Sequence, residues 1–330
     1  MQAAWYESNG PARDVIRVGE LPDPHPGPGE VRVRIAVSGV NPSDVKRRVG
    51  SRGQTITVPH IIPHSDGAGV IDAVGEGVPR SRVGERVWLW NAQWQRPHGT
   101  CAGYCCVPQA QACRLPAKIP FDAGACMGIP AMTAHRAVFS RGDVRGRTVL
   151  VTGGAGGVGH YAVQIAKWGA ARVIATVSSE AKAALARSAG ADAVIDYRRE
   201  DVVARVRELT SGAGVDHIVD VDFGANVDAS AKMLKPNGAI AAYASTRKSE
   251  PVLPYYALMT QAISIDLVFV YLLTPGQRAR ALADLDAMLH TGVLQHNIGG
   301  RFPLAETAAA HEAQESGKVT GNIVIDVAAA

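Results

Sequence analysis

No apolar run in these 330 residues approaches the roughly 18 that a membrane-spanning helix requires. The first ten residues, MQAAWYESNG, lack the basic stretch and apolar core of a secretory leader. Both absences point to a cytoplasmic protein with no membrane partner. Blocks of five or six like charges are missing too: 34 basic and 30 acidic residues are scattered to a net charge of +4, so nucleic acid is not implied. Aromatics make up 5% of the chain and form no base-stacking motif, which argues against an RNA partner. The five cysteines, Cys101, Cys105, Cys106, Cys113 and Cys126, are odd in number and bunched. They suit neither a disulfide framework nor a C-x-x-C zinc pattern. In a strand GYCCV, Cys105 and Cys106 face opposite sides, and we read the cysteines as small buried hydrophobes.

What is present is a composition of 47% hydrophobic and 19% charged residues over 330 positions, which suits a globular chain of two domains. Short β-rich runs at 30–37, 68–74 and 86–90, broken by turn clusters at 22–29 and 75–79, mark a barrel-like β domain in the first 120 residues. From about residue 124 the rhythm changes. Strand patterns at 148–152, 172–177 and 193–197 alternate with helical ones at 158–168, 180–189 and 200–209, and HIVDV and GAIAAYA flank a further helix. This alternation specifies an α/β architecture, a doubly wound parallel sheet of the Rossmann kind. Gly169 and Gly190 follow two of the helices, where a left-handed cap is wanted. After Ser264, IDLVFVYLL predicts a strand, 275–291 a helix and GNIVIDV a last strand, with a frayed alanine end at 328–330.

Residues 151–160 read VTGGAGGVGH and hold the G-x-G-x-x-G spacing at Gly154, Gly156 and Gly159. A bare match is weak. Here it follows an apolar strand and opens a helix whose apolar positions Val158, Ala162, Ile165 and Ala166 share one face. The segment from Gly154 through Ala155, Gly156, Gly157 and Val158 is therefore expected to bind a dinucleotide. A side chain at Gly154 or Gly156 would hold the backbone away from the pyrophosphate, and one at Gly159 would push the helix off the strand. The helix start offers N–H groups and a positive dipole end to the phosphates. Some 20 residues on, a carboxylate would select NAD. This chain has Ser178 and Ser179 instead, with Lys182, Tyr197, Arg198 and Arg199 near, so NADPH is the predicted cofactor. Glu180 is read as a first-turn partner of the helix dipole.

With SGVNPSDVKRRVG at 38–50, HSDGAGVIDAVGEGV at 64–78, VGERVW at 83–88, GIPAMTAHRAV at 128–138, GGAGGVG at 153–159 and GAIAAYAS at 238–245, the chain resembles the medium-chain dehydrogenase/reductase family. The likeness is to its zinc-free quinone oxidoreductase branch, typified by zeta-crystallin. The resemblance implies a GroES-like catalytic domain of residues 1–124 and 269–330 and a Rossmann NADPH-binding domain of residues 125–268. It puts Asn41, Thr133, Tyr243, Ser245, Phe269, Val270 and Tyr271 around the nicotinamide end of the cofactor, and adds Ala244 and Asn322 to the cofactor-binding set. Asn41, Thr133 and Tyr271 are the substrate-cleft candidates. Asn41 could equally fix the turn before Pro42, and Phe269 and Tyr271 could be core or interface residues. No catalytic residue is assigned.

Zinc-dependent relatives hold their metal with a Cys, a His and a third soft ligand. The equivalent positions here are Asn41, Ser65 and Ile129, with His64 one place out of register, so no metal is expected. Without one, the implied reaction is direct hydride transfer from NADPH to a small-molecule electrophile, a quinone, with C=C reduction of enones or enals as the alternative. In such a reaction the protein's task is alignment, which can lower a barrier by roughly 7–11 kcal/mol. A cofactor-sensing or crystallin-like structural role is the remaining alternative. Arg47, Arg48, Arg52 and Gln54 stand where relatives often carry an aromatic residue, which leaves the substrate pocket open. His135 stands where a Tyr is common and could donate a proton or simply pack. The apolar run 264–273 requires pairing, and the resemblance implies a homodimer through it.

Overall fold

The computed structural model describes residues 1–53 and 55–327, the side chain of Arg52 excepted. Gln54 and the alanine end at 328–330 lie outside the described residues. The chain divides into two compact units, Met1–Pro130 with His296–Ala330, and Ala131–Gln295. The first unit begins with β1 (Gln2–Trp5), β2 (Arg17–Glu20), β3 (Glu30–Val40), β4 (Asp66–Val74), β5 (Arg86–Leu89), β6 (Tyr104–Pro108) and β7 (Ala112–Arg114). The second holds β8 (Thr148–Val151), β9 (Arg172–Val177), β10 (Ala193–Asp196), β11 (Val215–Asp220), β12 (Leu234–Ala242) and β13 (Ser264–Leu267). The first unit closes with β14 (Ile298–Pro303) and β15 (Asn322–Asp326).

In the first unit the sheet runs β14-β15-β3-β4-β5-β7, with β6 also on β3. The long β3 serves two neighbours along one edge, β6 over residues 30–34 and β15 over residues 37–40. Its alternate positions Val31, Val33 and Ile35 are buried and pack with Ile71, Val87, Leu89, Cys105, Val107, Ile323 and Ile325, the period-2 pattern of a strand with one face in a core. Cys105 is buried and Cys106 half-buried, on opposite faces of β6. Asn41 heads the helix Pro42–Arg48, with its N–H donating to Asp44 Oδ2 at 2.7 Å.

In the second unit all six strands are parallel, in the order β10-β9-β8-β11-β12-β13. Such a sheet is buried on both faces, and Leu150, Ile174, Ile195, Ile218 and Ile240 form its core with Val206, Phe223 and Val227 from the covering helices. The order reverses between β8 and β11, and at that point the carboxyl ends of the strands open a crevice.

Three expectations change. The helix Pro275–Thr291, started by a Thr274/Gln277 capping box and ended by left-handed Gly292, belongs to the second unit, so the chain returns to the first at residue 296 rather than 269. Its apolar face, Ala281, Leu285, Met288 and Leu289, is buried there, and its Asp284 accepts from His135 of the helix Met132–Val138. The first unit also runs on to Pro130, because the Ile129 N–H is tied to the Asp66 carboxylate of β4. Second, the strand expected over 264–273 stops at Leu267 and gives way to a 3-10 turn, Val270–Leu272. Its partner β12 ends at Ala242, whose carbonyl takes the last N–H, that of Val268. Third, Gly190 is left-handed but Gly169 is not (φ −72°), and Ala170 takes the left-handed place. Gly169 is required for space instead: a Cβ there would sit 2.8 Å from Val144.

Candidate functional site

Between β8 and the helix Gly157–Trp168 the backbone must turn within five residues, and glycine enters there for separate reasons. Gly153 has φ +68°, a left-handed conformation that side chains disfavour. A Cβ on Gly154 would lie 2.7 Å from that of Ala175 on β9, and one on Gly159 would lie 2.1 Å from the Gly153 carbonyl oxygen. Packing therefore demands Gly154 and Gly159. Gly156, the N-cap, has nothing nearer than 3.3 Å, so its lack of a side chain keeps the helix start open to a ligand. No acidic residue lies in that first turn, where the N–H groups of Gly157 and Val158 head the dipole.

A cavity of about 500 Å³ opens at the carboxyl edge of this sheet, lined by Thr152, Thr176, Tyr197, Asn226, Ser230 and Arg247 among others, a size usual for small-molecule sites. Asp220, at the end of β11, is fully buried and binds lining residues: its Oδ1 accepts from Thr152 Oγ1 (2.9 Å), Asn226 Nδ2 (2.8 Å) and the Asp222 N–H (3.0 Å). Its Oδ2 and the hydroxyl of Ser230 are buried without a partner among the described residues. Polar groups left in that state call for a bound molecule or water. Asp222 accepts from the N–H groups of Thr246 and Arg247 and from Arg247 Nε at 2.5 Å, fastening the segment after β12 to the cavity wall. An open glycine turn, a helix start without carboxylates and unpartnered polar atoms together fit a dinucleotide.

The residues expected near the 2′-phosphate divide. Tyr197 lines the cavity. Ser178 and Ser179 lie at the end of β9, where Ser179 Oγ caps the next helix by accepting the Lys182 N–H at 3.4 Å. Lys182 is half-buried as a residue, and no carboxylate pairs with it among the described residues. Glu180 is engaged by Arg187 at 2.6 Å and largely exposed. Arg198 is exposed, and Arg199 lies 3.8 Å from Asp196. Arg247, Asp222 and Asn226 were not singled out from sequence. Arg247, two residues past Ser245, was the one with a local signal.

At the nicotinamide-end positions, Tyr243 follows β12 and donates its N–H to the Asp220 carbonyl, and Phe223 donates to Ala244. Burial, with Asp220 near, pushes the Tyr243 phenol far above its usual range. Ser245 Oγ accepts from Gly224 N–H and donates to the Lys248 carbonyl, so its hydroxyl is spent within the loop. The rings of Phe269 and Tyr271 lie 5.2 Å apart, Val270 is buried, and their turn packs on the helix that carries buried Thr133. His135 is held by Asp284 at 2.8 Å, and burial lowers its pKa despite that carboxylate; it packs. Asn41 and Asn322 belong to the first unit. Asn322 Nδ2 donates to the Asn297 carbonyl at 3.1 Å, while Asn41 Nδ2 donates to Asp66 Oδ2 at 2.9 Å.

At the positions where zinc-dependent relatives hold the metal, Asn41 donates to Asp66 and Ile129 offers its N–H to the same carboxylate, while His64 bonds Ser38 and His311. Among the described residues no group of three His, Cys, Asp or Glu side chains is arranged to hold a metal. Nor is any described helix long and apolar enough to cross a membrane.

Two family models match: an alcohol dehydrogenase GroES-like domain at residues 27–168 and a zinc-binding dehydrogenase domain at residues 157–286. A quinone oxidoreductase of Pseudomonas aeruginosa is 32% identical over 94% of this chain and 95% of its own length. A 2-haloacrylate reductase of a Burkholderia species is 31% identical over 98% of each. A mycobacterial protein in a solved structure complexed with NADPH superposes with a TM-score of 0.85 at 32% identity, covering 98% of this chain and 99% of that one. The chain belongs to the medium-chain dehydrogenase/reductase family, in its quinone oxidoreductase branch.

Proposed function

We propose that this protein is an NADPH-dependent quinone reductase that works by direct, zinc-independent hydride transfer, in the cytoplasm and as a homodimer. The observation that carries this reading is the glycine cradle followed by Ser178 and Ser179 in place of a ribose-binding carboxylate, in a chain so similar to quinone oxidoreductases. NADPH supplies the hydride. The chain's own residues bind and align: the N–H groups of Gly157 and Val158 meet the pyrophosphate, and Ser178, Ser179, Lys182 and Tyr197 take the 2′-phosphate. Thr133, Tyr243, Ala244 and the Phe269–Tyr271 turn are assigned to the nicotinamide end, and Asn41 to the substrate end. An electron-poor acceptor needs no Lewis acid, so alignment in a dry site is the main contribution asked of the protein.

One relative favours a second reading, reduction of a C=C bond, because the Burkholderia enzyme is named for haloacrylate reduction. Steady-state assays with 1,2- and 1,4-quinones beside alkenals and alkenones separate the two. Turnover of quinones is the expected result, and inactivity on every quinone would retire the first reading. Dimerisation is supported by the outer edge of β13, which no described strand pairs, and by Leu267 and Leu272, 78% and 67% exposed. Asp266, a charge within that run, is engaged by Arg141 and Ser140. A monomer in light scattering at micromolar concentration would remove the dimer.

A further inference from the structure

Deep in the first unit, five side chains far apart in sequence meet in a row. Arg48 Nε donates to His311 Nδ1 at 3.3 Å, and His311 Nε2 lies 2.9 Å from His64 Nε2. His64 Nδ1 lies 2.8 Å from Ser38 Oγ, Ser38 Oγ lies 2.7 Å from Thr100 Oγ1, and Thr100 Oγ1 donates to the backbone carbonyl of Asp66. All five are fully buried, and His64 adopts φ +80°, a conformation rare for a side chain larger than glycine's.

The positions of the hydrogens follow from the end members. Arg48 can only donate, so His311 Nδ1 accepts and its proton sits on Nε2. His64 Nε2 must then accept, which puts its proton on Nδ1 and directs it to Ser38. Worked from the other end the answer is the same. The Asp66 carbonyl can only accept, so Thr100 spends its hydrogen there and must accept from Ser38. Ser38, with one hydrogen, must accept from His64. Both imidazoles are neutral, and no other arrangement leaves every group paired.

We infer that Arg48, His311, His64, Ser38 and Thr100 form a one-way hydrogen-bond chain that positions Asp66 and, through it, the side chain of Asn41. The chain grips both strands that frame Asn41: Ser38 lies three residues before it on β3, and Asp66 begins β4, paired with Gly39. The Asp66 carboxylate accepts Asn41 Nδ2, and the Asn41 side chain in turn accepts from the Asp44 N–H in the capping box that starts the helix Pro42–Arg48. At its far end Arg48 is clamped by Glu315 and the Gly10 carbonyl. These are positioning residues, and their role in turnover rests on the proposal that Asn41 serves the substrate end.

Long-range proton–nitrogen correlation spectra of the full chain labelled with ¹⁵N-histidine test the assignment at neutral pH. His64 should carry its proton on Nδ1 and His311 on Nε2. The reverse tautomer, or an imidazolium at either ring, overturns the chain. Thr100→Val, which cuts it at Asp66, should lower kcat about tenfold with KM for NADPH held within about twofold, short of the hundredfold that a 1 Å misplacement can cost. His311→Gln, whose Oε1 can accept from Arg48 while Nε2 donates to His64, should keep kcat within about twofold. Unchanged kcat in Thr100→Val would overturn the positioning role even with the tautomers as assigned. Should the wild type turn over no quinone or enone, the functional reading fails separately. The Asn41 side-chain amide resonance then decides: a shift in Thr100→Val and none in His311→Gln upholds the positioning role, and any other pattern overturns it.

Discussion

Around His64 the first unit buries five side chains, each hydrogen-bonded to the next. Around Ser230 the second unit buries a hydroxyl and a carboxylate oxygen with no partner among the described residues. The two regions answer the cost of burying polarity in opposite ways. A closed chain is satisfied by the protein itself, so it holds one geometry and is expensive to disturb. An open wall leaves part of its bonding capacity for something bound, and a ligand that completes it stabilises the fold by mass action. The closed chain lies beside Asn41, which is proposed to serve the substrate end, and the open wall lies where the cofactor is proposed to bind.

Thr100 is where the contrast should break most visibly. In Thr100→Val the Ser38 hydroxyl loses the acceptor for its hydrogen and the Asp66 carbonyl loses its side-chain donor, both in the buried interior, and unfolding free energy should fall by about 1–3 kcal/mol in urea melts. A loss under about 0.5 kcal/mol would mean the chain is slack. The next effect depends on pH. Burial, with Arg48 nearby, lowers the His311 pKa to about 3, against about 6.5 when unfolded. Below pH 6.5 the unfolded state therefore binds the proton that the folded state refuses. The His311 contribution is whole above that pH and is lost on acidification toward pH 3. The stability of the wild type relative to His311→Gln should then drop by about 1.4 kcal/mol per pH unit. A constant difference between parallel melts at pH 7 and pH 5 would show that His311 titrates normally.

On the open side, Lys182→Ala should weaken NADPH about tenfold by calorimetry and leave NADH within about twofold, as loss of one charged phosphate contact predicts. Equal losses would remove Lys182 from the phosphate site. Ser230→Ala should have the smallest effect, a stability change within about 0.5 kcal/mol, since that hydroxyl has no partner to lose. A cost comparable to that at Thr100 would close the distinction between the two regions.

Much of this was legible along the chain because it is written in near neighbours. A period of two buries alternate residues of β3, a period of 3.6 builds the helix after the glycine turn, and the spacing of Gly154, Gly156 and Gly159 follows from one tight turn. The hydroxyls at Ser178 and Ser179, standing where an acid would select NAD, are local too. Other features had no local sign. The strand expected over 264–273 ends early because β12, its partner, runs out, and the helix Pro275–Thr291 joins the second unit because its apolar face finds a home there. His64 and His311 are 247 residues apart; along the chain His64 is only a histidine one place out of register with a metal ligand, and His311 carries no signal. Sequence patterning determined which segments are strands, helices and dinucleotide turn, because those depend on backbone sterics and burial within a few residues. Tertiary structure alone decided which buried polar groups close on each other and which stay open, because a hydrogen bond needs both partners within about 3 Å, and only folding brings them there.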